Sequence, residues 1–250
     1  MTMAMTAPES RAHPPEISID ALLDVVRRRR SIRSGFLEDV SVPDSHIEAV
    51  LEAARWAPSA GNSQPWEFII IRDRKTRHKI ADLFKAQLKD KAEMERVGRG
   101  KASRFSSGVD FKHAPVHIIV LGDPRTIECF PVRTKLDKWE SHFYGSMANS
   151  ILQMMLAAEV LGLSSIYVSD VASPYFSVML KAFLGIPEPL VVYHLIPLGF
   201  AKKSRTISHP RRPLETMVHR ERYERAKFRS DADIRMFVEE MSIRGRQYRW

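Results

Sequence analysis

The sequence predicts helices packed around a single sheet, an α/β or α+β arrangement in one sizeable domain. Three observations carry this. Short apolar runs at Phe68–Ile71, Val116–Leu121 and Leu190–Leu198 have the length of buried strands. Segments whose apolar residues repeat at helical spacing lie between them, so strands and helices alternate. One of these segments, Tyr144–Leu161, carries no charge between Tyr144 and Ala158 and is apolar on most sides, which marks a central helix.

The elements follow in order. Met1 to Glu16 carries Pro, Ser and Ala without the apolar centre of a signal peptide and reads as a disordered leader. Asp20–Arg30 is predicted helical, with Leu22, Leu23 and Val26 on its apolar face and Arg27 and Arg28 suited to the C-terminal end of the dipole. Pro43-Asp44-Ser45 opens a second helix, with Ile47, Val50, Leu51 and Ala54 in register, and it stops before Pro58. A loop of small residues then feeds the strand ending at Ile71. A third helix is expected over Arg74–Glu95, with Ile80, Leu83, Phe84 and Leu88 inward. Gly98-Arg99-Gly100 and Ser106-Ser107-Gly108 suggest a flexible connection to the strand that Pro115 introduces.

In the central segment Met147, Ile151, Met154, Met155, Ala158 and Leu161 share a face, and its methionines read as core filler. Gly162 offers a left-handed stop. Ser165–Val168 is predicted as a strand, Tyr175–Leu184 as a helix stopped by Gly185, and the last strand ends at Gly199. The tail presents an amphipathic face of Ile234, Phe237, Val238 and Met241, with Phe228 before it. The expected organisation is therefore a leader over 1–16, a main domain over 17–218 and a basic helical extension over 219–250.

The 250 residues carry a formal net charge of +9. A nucleic-acid binder is one reading of that excess. The charge is concentrated in Arg27–Arg33 and in the tail, where Glu215, Glu221, Glu224, Asp231, Asp233, Glu239 and Glu240 alternate with it. That mixture describes a solvated helical surface better than a stripe that tracks phosphates. The single cysteine, Cys129, cannot form an internal disulfide. No Glu-x-x-His pair suggests a metal, and no apolar run reaches bilayer length. A cytoplasmic protein without metal is the expectation.

Two stretches carry chemistry. In Arg29-Arg30-Ser31-Ile32-Arg33 several cations crowd a turn, which is costly unless an anion or solvent screens them. Their guanidinium forks suit a phosphate. In Ala57-Pro58-Ser59-Ala60-Gly61-Asn62-Ser63-Gln64-Pro65-Trp66 small side chains let a flat ligand approach the backbone. Gln64 reads as a loop tie and Trp66 as a packing residue. Together the two stretches suggest a phosphorylated aromatic cofactor. No Gly-x-Gly-x-x-Gly turn offers a pyrophosphate cradle.

Those two stretches, followed by Leu161-Gly162-Leu163-Ser164-Ser165, then Leu184-Gly185-Ile186-Pro187-Glu188, Pro197-Leu198-Gly199-Phe200 and Pro210-Arg211-Arg212-Pro213-Leu214-Glu215, resemble in that order the FMN-dependent nitroreductase family. The resemblance runs from about Leu22 to Val218. It implies an α+β fold with a central, mostly antiparallel sheet flanked by helices, built as an intertwined homodimer with two FMN sites at the interface. It also implies that Arg29, Arg30, Ser31 and Arg33 contact the phosphate and flavin ring, with Arg33 at the pyrimidine edge. Pro58, Ser59, Ala60 and Asn62 would reach the flavin from the other subunit. Ser169 and Asp170 would lie near the reactive flavin nitrogen, where some members carry an acidic residue followed by glycine. Arg211, with Arg212 as its neighbour, would be a late phosphate contact.

The implied activity is oxidation of NADH or NADPH through FMN, with an electron-poor planar acceptor such as a nitroaromatic or quinone entering the space the nicotinamide leaves. No catalytic side chain is required of the protein, since the cofactor carries the redox chemistry. A specialised flavin enzyme on the same scaffold is the alternative: a reductive dehalogenase, a flavin-fragmenting enzyme or a biosynthetic dehydrogenase. Gly98–Lys112 and Arg125–Ser141 are the candidate lids. The C-terminal extension would wrap the dimer or cover the substrate pocket.

Overall fold

The computed structural model describes residues 18–99, 109–202 and 211–240, which fall into two units divided between Lys202 and Lys203. The leader, Gly100, Ser106-Ser107-Gly108 and Met241 lie outside the described residues.

The first unit is built on helices α1 (Ile19–Arg28), α2 (Asp44–Arg55), α3 (Arg74–Arg99), α4 (Val132–Asp137), α5 (Trp139–Val160) and α6 (Pro174–Leu184), with strands β1 (Trp66–Ile71), β2 (Val116–Gly122), β3 (Ser164–Ser165) and β4 (Val191–Gly199). The strands form one antiparallel sheet in the order β1-β2-β4-β3. Trp66 pairs with Gly122 and Ile71 with His117, while Val116 pairs with Leu198.

All seven residues of β2 are buried, as expected of an inner strand covered on both faces. Alternation along the strands sorts the core into two layers. On one face Ile119, Leu121 and Leu195 pack with Ile80 and Phe84 of α3 and Phe176 and Leu180 of α6. On the other, Val116, Ile118, Val120, Ile196 and Leu198 pack with Ile47, Val50 and Ala54 of α2 and with Met147, Ile151, Met154 and Ala158 of α5. Each such side chain, fully buried, stabilises the fold by about 1.5–3 kcal/mol. The methionines of α5 are core residues, as their spacing predicts. At Gly122 the side chain of Phe143 on α5 fills the space against the sheet: a Cβ there would stand 2.5 Å from Phe143 Cζ.

Three local expectations need correction. The helix α3 runs on through Gly98 and Arg99, so those two residues are helical rather than a flexible connection. A single glycine costs a helix only about 1 kcal/mol. The strand expected over Ser165–Val168 pairs as a ladder only at Ser164 and Ser165, with one further bridge from Val168 to Leu195. The helix α1 ends at Arg28, because Arg29 turns to ψ 124°. The helix α6 ends as expected, on left-handed Gly185 at φ 66°.

Arg125–Ser141, one of the candidate lids, contains a 3-10 turn over Pro124–Cys129, then α4, whose Val132 and Leu136 are exposed, and the start of α5. Among the described residues, the second unit contains 3-10 turns at Leu214–Thr216 and Arg225–Lys227 and the helix α7 (Asp231–Glu240). Ser230 and Asp233 cap α7 reciprocally through Ser230 N–H and Asp233 Oδ2, 2.7 Å apart, and Asp233 N–H and Ser230 Oγ, 3.2 Å apart. No residue assigned a burial class in this unit is fully buried, and Leu214, Met217, Tyr223 and Phe228 are exposed.

Candidate functional site

The cationic turn begins where α1 ends. The N–H of Arg29 still closes the last helical turn on Val25 O. Ser31 then runs parallel to Ser165, and Ile32 N–H donates to Ser165 O at 3.0 Å. Arg33 O accepts from Asp110 N–H at 2.8 Å. The turn is therefore an outer rung of the sheet beyond β3, and residues 29 to 33 are all half-buried. The Arg30 guanidinium folds back onto the carbonyl oxygens of Arg27 and, at 2.9 Å, Arg29. Its Nε is buried and has no hydrogen-bond partner among the described residues. An orphaned cationic donor is the polar atom that an oxyanion would satisfy, so this turn fits a phosphate.

The small-residue loop differs in kind. Ala60 N–H donates to Ser146 Oγ at 3.1 Å, and Asn149 Nδ2 donates to Pro58 O at 3.0 Å, so α5 holds the loop from below. Ser59 Oγ accepts from Gln64 N–H at 3.1 Å, and Gln64 Nε2 donates to Asn62 O at 3.3 Å. Gln64 thus ties the loop, and Trp66 is buried in the core, as their sequence predicts. Gly61, Asn62 and Gln64 are all left-handed, with φ of 60°, 50° and 42°. For the two non-glycines that conformation is strained and persists because the surrounding bonds over-determine it.

Ser169 and Asp170 open a 3-10 turn, four and five residues beyond Ser165. Asp170 Oδ1 pairs with Lys91 Nζ at 3.2 Å, and Asp170 O accepts from Gln87 Nε2 at 3.3 Å. Buried Gln87 in turn accepts from Ser173 Oγ at 2.7 Å. Arg211 and Arg212 belong to the second unit, where Arg212 Nη2 donates to Thr216 O at 3.0 Å beside a cavity of about 430 Å³ that Tyr223 and Phe228 also line.

Sequence reasoning missed an aromatic cluster. The β2–β4 register shifts so that Val120 faces His194 and Leu121 faces Val192, leaving Tyr193 as a bulge. Tyr193 and His194 consequently stack at 4.0 Å instead of pointing to opposite faces. Tyr167 meets His194 edge-on at 4.0 Å, and Tyr144 stacks on Tyr193. Burial holds the imidazole of His194 down at about 4 and raises the phenol of Tyr167. Only the Tyr-His pair next to a strand end hinted at this, and an apolar run does not announce a bulge.

Two apolar stripes of the first unit face outward. On α5 Tyr144, Ala148, Leu152 (52% exposed) and Val160 recur every fourth residue or two such steps apart. On α1 Ile19, Leu22 and Val26 are exposed, and Arg28 reaches Glu159 on α5 at 3.9 Å. Ten to thirteen residues of α5 separate that contact from Ser146 and Asn149, roughly 15–20 Å along the axis. Within one chain, the loop thus attaches to the N-terminal half of α5 and the α1 end of the cationic turn to its C-terminal end.

Residues 26–200 match the sequence profile described as the Nitroreductase family. A protein of Archaeoglobus fulgidus named for NADH dehydrogenase and NAD(P)H nitroreductase activity is 30% identical over 187 residues, covering 75% of this chain and 89% of that one. Iodotyrosine deiodinase 1 of Sus scrofa is 25% identical over 203 residues, covering 78% and 66%. Among solved structures, a protein of Desulfovibrio desulfuricans named as a nitroreductase and complexed with FMN is 25% identical, with a TM-score of 0.57 and coverage of 81% and 98%.

Proposed function

The chain belongs to the Nitroreductase family, and we propose that it is an FMN-dependent oxidoreductase that takes reducing equivalents from NADH or NADPH and passes them to an electron-poor planar acceptor, a nitroaromatic or a quinone. The observation that carries this reading is the half-buried cationic turn with the orphaned Nε of Arg30. FMN, when bound, supplies the two-electron chemistry. Arg29, Arg30 and Ser31 bind its phosphate end, Arg33 lies toward the pyrimidine edge, and the turn that starts at Ser169 and Asp170 flanks the reactive face. Arg211 and Arg212 are the further phosphate candidates that the family resemblance names. Residues 17–218 form the FMN-binding domain, and 219–250 form an extension of it.

The remaining contacts, Pro58, Ser59, Ala60 and Asn62, come from the partner subunit of a homodimer. The stripe on α5 supports this. Two copies of α5 packed antiparallel about a two-fold axis near Leu152 set Ser146 and Asn149 of one chain opposite residues 158 and 155 of the other. The loop that those residues hold then reaches the α1 end of the partner's cationic turn. Uncovered apolar stripes of this kind mark interaction surfaces.

Reductive dehalogenation is the second reading, favoured by the match to iodotyrosine deiodinase 1. One experiment serves both. The cofactor released from purified protein is identified by mass, and the holoprotein is reduced anaerobically with each nicotinamide and reoxidised with nitroaromatics, quinones and halogenated phenols. FMN with nitroaromatic or quinone turnover supports the first reading. Turnover confined to halogenated phenols selects the second. FAD, or no flavin after reconstitution with excess FMN, refutes both.

A further inference from the structure

We propose that Glu38, His78 and His113 form a binding site for a single divalent transition-metal ion, with Zn²⁺ as the probe of choice. Their three candidate ligand atoms lie within 4.8 Å of one another. The residues come from three separate segments: the turn after Phe36, the helix α3, and the connection that enters β2. Both imidazoles converge on one carboxylate, with His78 Nε2 at 2.5 Å from Oε1 and His113 Nδ1 at 2.9 Å from Oε2. The Glu38 side chain is only 9% exposed, so the carboxylate is held in place, while His113 is half-exposed and opens a path from solvent.

Two imidazoles and one carboxylate suit zinc and the neighbouring first-row dications, with an open fourth position. The donor set excludes calcium and magnesium as preferred ions, since those take oxygen ligands. On binding a metal, each imidazole would offer the nitrogen that now donates to the carboxylate, with its N–H moved to the other ring nitrogen.

Two arginines compete for the same carboxylate, and both have somewhere else to go. Arg74 Nη2 lies 2.8 Å from Glu38 Oε2 but also 3.2 Å from Asp39 Oδ1, to which it can swing. Arg77 Nη2 is 3.4 Å from Oε1, and this buried side chain independently donates to Ala114 O at 2.5 Å and Arg72 O at 3.2 Å. A metal on Glu38 therefore orphans neither guanidinium. Their positive charge does repel a dication, so the expected affinity is micromolar rather than that of an all-anionic structural zinc site.

An ion here would join the segment leading away from the cationic turn to α3 and to residues 110 to 113, whose Asp110 N–H holds Arg33 O. The site does not depend on the flavin reading, and its test uses no turnover. The full-length protein, untagged and stripped with a chelator, is titrated calorimetrically with Zn²⁺ near neutral pH. One ion per chain at micromolar Kd is expected. His113→Ala, a surface change that spares the fold, should weaken binding at least as much as the ~10-fold that an outer-shell partner alone is worth, and His78→Ala likewise. His219→Ala, in the second unit, should change nothing. Absence of stoichiometric binding, or binding that His113→Ala leaves unaltered, overturns the proposal.

Discussion

The cationic turn Arg29–Arg33 and the small-residue loop Pro58–Asn62 are both singled out by sequence, yet they are built on opposite principles. The turn is an added rung on the sheet edge and leaves a buried donor, Arg30 Nε, without a partner among the described residues. The loop spends its polar groups on itself and on α5, so Ser59 Oγ and the Ala60 N–H are already engaged. The turn thus offers charge and waits for an anion, whereas the loop offers shape and strained backbone. On the proposed function each is half of a binding site; the loop is held by the N-terminal half of α5 and the turn lies by its C-terminal end.

The comparison breaks most readily at the surface that would join the halves. Leu152→Asp places a charge in the apolar stripe on α5. An uncompensated buried charge costs about 3–5 kcal/mol, so dimer dissociation should rise roughly a hundred- to several-thousandfold, with flavin lost in parallel. Sedimentation with absorbance at flavin and protein wavelengths reads both; a flavin-loaded monomer would separate the two halves from the dimer.

Acid should act on the scaffold that both halves share. An unfolded histidine titrates near 6.5, but burial holds His194 at about 4 and His117 at about 3. The unfolded chain takes up these protons first, so the stability is fully present above pH 6.5 and is lost as pH falls through 4 and then 3. For His194 alone the loss is on the order of 3 kcal/mol. Melting temperatures from pH 7 to 4 should fall less steeply in His194→Phe than in the unmodified protein, and parallel curves would contradict the buried neutral imidazole.

Arg30→Ala removes the orphaned cation. A charge-assisted bond is worth about 1.5–3 kcal/mol, so the FMN dissociation constant should rise roughly ten- to a hundredfold, as it should for Arg29→Ala. Unchanged affinity in both would reduce the turn to surface charge. The smallest effect belongs to the loop. Ser146→Ala strands the Ala60 N–H and should cost about 1 kcal/mol of stability, with a weaker effect on FMN than Arg30→Ala has. Equal effects would erase the distinction between a charged half and a shaped half.

The features legible in sequence were local ones. The helical spacing of Met147, Ile151 and Met154 gave α5 its buried face, and the density of arginine at 29–33 marked the turn before any fold was known. Strand direction was not legible from residues alone, because a fully buried strand such as β2 reads the same in a parallel or an antiparallel sheet. Family resemblance supplied the antiparallel order, which the strand pairings bear out. What sequence hid depends on contacts between distant positions. Lys91 meets Asp170 across 79 residues, and His78 meets Glu38 across 40, spacings no motif encodes. The bulge at Tyr193 was hidden for another reason: one unpaired residue leaves no trace in an apolar run.

The claim that a site is completed across two chains is tested most directly by mixing two defective proteins. One carries Arg29→Ala with Arg30→Ala and lacks a working turn. The other carries Gly61→Val, which forces a branched side chain onto a backbone at φ 60° and toward Phe130, so its loop is misshapen. Neither homodimer should retain FMN. In a mixed dimer one site receives both lesions and the other receives neither. Shared sites therefore predict that co-refolded, separately tagged mixed dimers recover one FMN per two chains; mixed dimers as empty as the parents would show that turn and loop serve the flavin within a single chain.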